Sequence, residues 1–367
     1  MAILVIADDL TGAAEIAGMA LRYGLSAEIV HSSIAPTDKD VLIVNSNSRS
    51  ISADKLLIHL DSLQAEEKAV PEWDWIYLKF DSALRGHIKT EIPYFRKAFA
   101  QDQVIFCPVH LRLNRVIRDG IYWIDGVPIA ESDFAHDPEF PVRKSRILEA
   151  LEVSWHLLAD PSQAQEEPYV LAAVQDQHDL ARWASATGGR RMYAGAGAFF
   201  EALLQHRFGL KPASDCIAPQ QKSPALYVCG SKHENSLQRL AALQPENIVY
   251  WQSPGDEVTL ARQICLQLQL CDQLVFAVAR GTKAPAADIR ISMAKVLQYV
   301  RQTGRVNELI IEGGATAGAV LEALGIKRLQ PIWEYQQGVI RTVVPDEALY
   351  ITLKPGSYPW AEQLWGF

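Results

Sequence analysis

The chain has 367 residues, of which 49% are hydrophobic and 21% are charged, and its formal net charge at pH 7 is −8. This length exceeds the size at which a single hydrophobic core stops growing, so two domains are expected. The acidic balance argues against general nucleic-acid binding, which needs a positive surface. No apolar run is long enough to span a bilayer, so no membrane partner is expected and a small molecule is the favoured ligand.

Two further features indicate where the protein works. The first predicted strand begins at once, without a basic segment, an apolar signal core or a cleavage site, so a cytoplasmic protein is expected. The cysteines are scattered and include no CxxC pair, so neither a disulfide framework nor a zinc site is predicted. The five are Cys107, Cys216, Cys229, Cys265 and Cys271.

Apolar stretches of strand length alternate with amphipathic helical stretches along most of the chain. The predicted strands are Ile3–Ala7, Ala27–Val30, Val41–Asn45, Trp75–Leu78, Gln103–Phe106, Tyr169–Val174, Leu226–Cys229, Ile248–Trp251, Gln273–Ala277, Glu308–Ile311 and Ile340–Val344. The predicted helices are Ala13–Arg22, Ala53–Ser62, Lys89–Phe99, His178–Ala184, Ala196–Gln205, Asn235–Leu243, Val258–Leu268, Ile289–Val300 and Ala317–Leu324. The alternation predicts an α/β fold of two domains, each a mainly parallel sheet flanked by helices, with a cleft between them.

Asp8 and Asp9 follow the first predicted strand directly and precede a Thr-Gly step into a helix. In open α/β sheets, ligands bind at the carboxyl ends of the strands. Two adjacent carboxylates there are costly unless they cap the helix, bind a cation or accept hydrogen bonds from a hydroxylated ligand. Because a cap needs only one acceptor, we assign Asp8 to the cap or to support of the site, and Asp9 to the hydroxyls of a substrate.

Two polar segments follow other predicted strands. In the first, Asn45 and Arg49 could reach a ligand, or the loop could be solvated and cap the next helix. In the second, Lys79–His87, Arg85 can grip a carboxylate with two parallel N–H bonds and Lys79 offers a point charge. Asp81 could accept the proton of an attacking hydroxyl. The alternative is a surface ion-pair cluster, but five distinct polar types directly after an apolar run favour a site for a small polyhydroxy anion.

Two segments punctuate the middle of the chain. The Asp-Gly step within Tyr122–Ile129 predicts a hairpin that leaves the first sheet. The basic stretch His110–Gly120 could form an anion-receiving flap or could simply be solvated. Residues 211–224 contain three prolines and no periodicity, so they are predicted to link a first domain, 1–210, to a second, 225–367.

The second half contains two glycine turns at strand-to-helix steps, Cys229–Ser231 and Gly313–Thr316. Such turns can hold phosphate oxygens with backbone N–H groups and the helix dipole. Either turn alone could be purely conformational, and neither fits the P-loop or the GxGxxG pattern. Two turns in one domain, with Leu353–Ser357 after them, favour nucleotide binding.

At these residues the chain resembles the four-carbon acid sugar kinase family over both halves. The ADDxTGA signature is present as Ala7–Ala13, and the KxDSTLRGN-like motif as Lys79–His87, with Ala83 for Thr and His87 for Asn. The remaining motifs are similar to Asp125–Ser132 (GVPLxES), Cys229–Ser231 (SGS), Gly313–Thr316 (GG(D/E)T) and Leu353–Tyr358 (LKSGNFG). The N-terminal matches are specific and the C-terminal ones are looser.

The resemblance implies ATP-dependent phosphorylation of a hydroxyl on a small sugar acid such as threonate or erythronate, with Mg²⁺ on the phosphates. It implies that residues 1–210 hold the acid and residues 225–367 the nucleotide. Strand ends and resemblance together predict a substrate side of Asp8, Asp9, Asn45, Arg49, Lys79, Asp81, Ser82, Arg85 and Gly86, with Asp9, Asp81 and Arg85 catalytic. The predicted nucleotide side is Ser231, Gly313, Gly314, Ala315, Thr316 and Gly356. A homo-oligomer is left open.

The chain departs from the family pattern at two places. Ala315 replaces an acid that could have bound magnesium or ribose, a role that Glu312 might then take over. Asn114 stands where the family has a glycine, which favours a branched or oxo sugar acid. The main alternative function is a non-catalytic sugar-acid sensor that retains the first domain. A nicotinamide-dependent reductase is disfavoured because the GxGxxG pattern is missing.

Overall fold

The computed structural model describes residues 2–31, 33–34, 36–63, 73–137, 140–151, 154–165, 167–186, 190–206, 209, 218–231, 234–304, 306–356 and 358–367. The chain divides into two compact units, one of Met1–Ser26 with His31–Ala213 and the other of Ala27–Val30 with Ser214–Phe367. Most of the predicted linker, including Cys216, lies outside the described residues. Within the described ranges, no helix is both long and apolar enough to cross a bilayer.

Strands and helices alternate through most of the chain. The strands are β1 (Ile3–Ala7), β2 (Ala27–His31), β3 (Val41–Asn45), β4 (Trp75–Lys79), β5 (Gln103–Cys107), β6 (Arg115–Arg118), β7 (Ile121–Ile124), β8 (Val127–Pro128), β9 (His156–Leu158), β10 (Tyr169–Ala172), β11 (Arg191–Gly195), β12 (Ala225–Cys229), β13 (Ile248–Trp251), β14 (Gln273–Val278), β15 (Glu308–Glu312), β16 (Arg328–Gln336), β17 (Val339–Val343) and β18 (Tyr350–Lys354). The helices are α1 (Leu10–Arg22), α2 (Ala53–Leu63), α3 (Ile88–Ala98), α4 (Ile147–Leu151), α5 (Gln177–Ser185), α6 (Gly197–His206), α7 (Glu234–Ala241), α8 (Glu257–Gln267), α9 (Ala286–Thr303) and α10 (Gly314–Ala323).

The first unit is built on a parallel sheet in the order β3-β1-β4-β11-β5-β10-β9. Every residue of β1, β3, β4 and β5 is buried, as expected for strands covered on both faces. The register aligns Ala7 with Asn45 and with Lys79, so three strands end side by side. The segments that follow these strands therefore meet at one edge of the sheet, as the sequence predicts.

The predicted hairpin forms a small antiparallel sheet of β6, β7 and β8 in the first unit. Asp125 and Gly126 take positive φ angles of 50° and 81°. Two successive positive φ angles are what a tight turn between twisted strands requires, and Asp-Gly supplies them at low cost. The hairpin prediction is confirmed, and β6 shows that part of the basic stretch is a strand rather than a free loop.

The second unit has the sheet order β13-β14-β12-β15-β18-β17-β16-β2. The pairs from β13 to β18 are parallel, whereas β17 and β16 run antiparallel and β16 pairs antiparallel with β2. The predicted α/β class with mainly parallel sheets and flanking helices is confirmed. Four strands were not predicted: β9, β11, β16 and β18.

Candidate functional site

Arg49 binds both adjacent aspartates at the end of β1. Its Nε and Nη2 donate to the two oxygens of Asp8 at 2.9 and 2.7 Å, and its Nη1 donates to Asp9 Oδ2 at 2.6 Å. The Asp8 carboxylate is fully buried and the Arg49 side chain is 16% exposed. A planar guanidinium suits this geometry because it can hold one carboxylate with two bonds and still reach a second. The prediction that this loop lies beside Asp8 and Asp9 is confirmed.

The helix cap belongs to Asp9 rather than to Asp8. The backbone N–H of Gly12 donates to Asp9 Oδ1 at 2.7 Å, and Asp9 has the extended conformation of an N-cap residue. The sequence assignment of Asp8 to the cap is therefore wrong, because its carboxylate turns inward to Arg49. Burial raises the pKa of Asp8 to about 6, against the lowering effect of the Arg49 charge.

Gly86 has no room for a side chain next to this pair. Its φ is +103°, and a Cβ built on it would lie 2.9 Å from Asp8 Oδ2. The glycine therefore lets the chain after β4 pass directly over the buried carboxylate. Gly86 belongs to the site as predicted by position, through the space that it leaves.

Gly86→Ala is expected to destabilise the protein more than Gly126→Ala does. Gly126 also has a positive φ, +81°, but a Cβ there meets no atom within 4 Å. Both variants should lose about 1–3 kcal/mol through backbone strain, and the Gly86 variant should lose more because its methyl group displaces Asp8. Denaturant unfolding of both variants measures the difference. Equal losses would contradict the proposed contact.

Lys79 lies in the interior, at the end of β4. Its Nζ binds Glu15 Oε2 at 3.0 Å and Phe80 O at 3.1 Å, and its side chain is 6% exposed. Burial opposes the charges of both groups, but the charge of Lys79 lowers the pKa of Glu15 to about 2 and the charge of Glu15 raises that of Lys79. His110 Nε2 is 3.8 Å from the other Glu15 oxygen, and its Nδ1 has no partner among the described residues. Glu15 and His110 extend the cluster beyond the predicted residues.

Asp81, Ser82 and Arg85 form the most accessible part of the site. Arg85 Nε donates to Asp81 Oδ2 at 2.6 Å, and Arg85 is one-third exposed. Burial would raise the pKa of Asp81, but the hydrogen bond from Arg85 and nearby positive charges lower it to about 2. Arg115, from β6, donates to the Ser82 hydroxyl.

Arg115 is the main residue of this part of the site that the sequence did not predict. Its guanidinium carbon lies 5.2 Å from the centre of the Phe134 ring, and that of Arg85 lies 5.6 Å from the same ring. Two guanidinium groups on one ring concentrate positive charge, which the ring faces partly stabilise. The only signal in the sequence was the basic character of His110–Gly120.

Asn45 is occupied inside the protein. Its Nδ2 lies 3.1 Å from His31 Nδ1, and its Oδ1 accepts from the Asn47 N–H at 3.3 Å. Burial lowers the pKa of His31 to about 4, so this histidine is neutral at pH 7. Asn45 is 3% exposed, so its assignment to substrate stays a prediction with no support from these contacts.

In the second unit, three aligned strand ends carry a buried ionic pair. Cys229, Glu312 and Lys354 are in register at the ends of β12, β15 and β18. Lys354 Nζ binds Glu312 Oε1 at 2.7 Å, and both side chains have no exposed area. The Ser236 hydroxyl donates to the same oxygen at 2.6 Å. Glu312 is thus engaged in the interior, which removes it as a free replacement for the missing acid at position 315.

The glycine turns follow these strand ends and lie against each other. A side chain on Gly230 would overlap Thr316, and Gly313 has a φ of +98°. Among the described residues, α10 has neither a side-chain cap nor an acid in its first turn, and Ala315 in that turn is exposed. Its first N–H groups therefore face the same edge as Ser231 and Gly356. In the part of the chain that the structure describes, no group of three or more His, Cys, Asp or Glu side chains could hold a metal ion.

The two halves of the chain match two family models. Residues 3–203 match the model described as a sugar-binding N-terminal domain, and residues 228–358 match that of a nucleotide-binding C-terminal domain. The fold and its two strand-edge clusters are thus those of a two-domain protein that joins a sugar-binding domain to a nucleotide-binding domain. The chain belongs to the four-carbon acid sugar kinase family, as its motifs indicate.

Several characterised relatives are kinases. The chain is 28% identical to D-threonate kinase of Bordetella bronchiseptica over 67% of this chain and 63% of that kinase. It is 23% identical to D-threonate kinase of Salmonella typhimurium over 89% and 87% of the two chains. It is 24% identical to 3-oxo-tetronate kinase of Pseudomonas fluorescens over 96% and 93%.

Two crystal structures share the fold at low sequence identity. A Salmonella typhimurium LT2 protein superposes with a TM-score of 0.82 at 16% identity, over 99% of this chain and 97% of the other. Haemophilus influenzae protein HI1011 superposes with a TM-score of 0.74 at 18% identity, over 98% of each chain. These likenesses establish the architecture.

Proposed function

We propose that this protein is a kinase that transfers the γ-phosphoryl group of ATP to a hydroxyl of a small sugar acid, such as threonate, erythronate or an oxo or branched acid. The observation that carries the proposal is the cluster of guanidinium and carboxylate groups at one sheet edge of the first unit. Arg49 lies close enough to Asp81 and Arg85 to influence the pKa values of both. Guanidinium groups recognise carboxylates, and aspartates accept hydroxyl protons, so the cluster matches the two functional groups of a sugar acid.

The residues divide the work by exposure. Arg85 and Arg115 are the accessible cations and would hold the substrate carboxylate, whereas Arg49 and Lys79 are already paired in the interior and set the positive field. Asp9 and Asp81 are the two carboxylates that could orient the attacking hydroxyl. As the hydroxyl oxygen bonds to the γ-phosphorus, the bond from that phosphorus to the β-bridging oxygen breaks, ADP leaves and the hydroxyl proton passes to a carboxylate.

The second unit would bind the nucleotide. The uncapped start of α10 and the adjoining glycine turn offer N–H groups and a positive helix end to phosphate oxygens. Mg²⁺ in phosphoryl-transfer sites keeps several waters and binds substrate phosphates with one or two carboxylates, so we propose that it enters with ATP and neutralises charge on the transferred group.

One observation favours the alternative of a sugar-acid sensor, namely the missing acid in the first turn of α10. Thermal unfolding with ligands separates the two functions. A kinase should be stabilised by Mg-ATP and by its sugar acid, each by about 2.7 kcal/mol at a ligand concentration of about 100 Kd. Stabilisation by a sugar acid with no response to saturating Mg-ATP would support the sensor and contradict the kinase.

A further inference from the structure

A chain of buried hydroxyl and carboxyl groups connects the end of β1 to α3. The Ser46 hydroxyl lies 2.9 Å from Ala7 O and 2.9 Å from the Ser48 hydroxyl, which in turn lies 3.0 Å from Glu91 Oε2. Glu91 is 1% exposed, and both serines have no exposed area. Its other oxygen, Oε1, has no hydrogen-bond partner among the described residues. No step of the proposed reaction uses these groups.

The number of protons in this chain fixes the state of the carboxyl group. Three contacts each need one proton, and the two serine hydroxyls supply two. The Ala7 carbonyl can only accept, so Ser46 donates to it and Ser48 donates to Ser46. The proton between Ser48 and Glu91 must then come from Glu91. An ionised Glu91 would leave one contact as two facing acceptors in the interior, which is unfavourable.

We propose that Glu91 is a positioning residue that works as a neutral carboxylic acid, donating to Ser48 and so fixing the turn that carries Arg49 against Asp8. Ser48 begins the short 3₁₀ turn Ser48–Ser50, and the N–H of Arg49 also donates to Asp8 O at 3.2 Å. The turn is therefore held on one side by Glu91 and on the other by the end of β1. This role deepens the proposed function, because Arg49 orders the aspartates of that site.

The charged and titratable groups around Glu91 agree with a neutral acid. Asp8 lies on the β1 side and disfavours a second negative charge, whereas Arg49 and the start of α3 favour it. His59 and His87 use their Nε2 atoms on the backbone oxygens of Ser46 and Ile51. Burial is the largest effect, and the pKa of Glu91 is raised to about 8.

Glu91→Gln is the decisive variant because its amide N–H can replace the carboxylic proton toward Ser48. A group with a raised folded-state pKa stabilises the protein fully below its unfolded pKa and loses that contribution as pH rises toward the folded value. The unfolding midpoint of the wild type should therefore fall relative to that of Glu91→Gln between about pH 5 and pH 8. The exposed Glu246→Gln is the matched control and should show no such trend.

Activity supplies a second readout, and it rests on the proposed function. Glu91→Gln should keep sugar-acid turnover within about twofold of wild type at pH 7, whereas Glu91→Ala should lose roughly 100-fold by displacing Arg49. A Glu91→Gln protein that is destabilised equally at every pH would overturn the proposal, since it would show that the carboxylate is ionised. Because unfolding is measured without substrate, that result is distinct from a failure of the kinase proposal, which would leave the pH trend intact.

Discussion

Arg49→Ala is expected to lower the free energy of unfolding by about 3–5 kcal/mol, because it leaves the fully buried Asp8 carboxylate without its partner. The loss should be smaller at pH 5 than at pH 8. Asp8 already has a pKa raised to about 6, and removal of the guanidinium raises it further, so the carboxyl can take up a proton in mild acid. Turnover should fall by roughly 100-fold, because Asp9 also loses its Arg49 contact.

Two comparisons make this prediction specific. The exposed Arg118 also lies in the first unit, and Arg118→Ala should change stability by no more than about 0.5 kcal/mol. Arg49→Lys keeps the charge but not the fork of donors, so it should recover only part of the stability. Urea unfolding at the two pH values measures all three variants. Full recovery in Arg49→Lys would contradict the role of the bidentate geometry.

Lys354→Met is expected to cost about 3–5 kcal/mol of unfolding free energy, because Glu312 would remain charged in the interior. The double variant Lys354→Met/Glu312→Gln should recover more than half of that loss, since the amide can still accept from Ser236 without a buried charge. The same pair lies at the strand ends that precede the proposed phosphate-binding turns. Stabilisation by Mg-ATP should therefore weaken in the single variant.

The exposed Lys327 provides the control for this experiment. Lys327→Met removes the same charge from the same unit but breaks no ion pair recorded among the described residues, so it should leave stability within about 0.5 kcal/mol of wild type. A double variant as unstable as Lys354→Met would show that the loss comes from packing rather than from the unpaired carboxylate.

The edge of the first sheet could be predicted because its signals are local. The apolar run of β1 ends where charge begins, and its observed bounds, Ile3–Ala7, equal the predicted ones. Parallel strands bring the residues that follow them to one edge, so Arg49 and Arg85 could be placed near Asp8 from the element order alone.

Contacts that depend on residues far apart in the chain could not be predicted. Which of Asp8 and Asp9 turns inward depends on Arg49, forty positions later, and their adjacent sequence positions contain no information about that choice. Glu15 and Glu91 lie on helices where a glutamate is ordinarily exposed, so nothing local marks them as buried. The strand β16 contains Pro331, which normally argues against a strand interior.

The central claim is tested most directly by incubating the protein with Mg-ATP and a panel of four- and five-carbon sugar acids, including oxo acids, and detecting the phosphorylated acid by mass spectrometry and phosphorus NMR. The account predicts stoichiometric ADP and phosphorylated acid with at least one member of the panel. It also predicts turnover lower by about 100-fold or more in folded Asp9→Asn and Arg85→Ala. Wild-type rates in both variants, or no phosphorylated product from any acid, would contradict it.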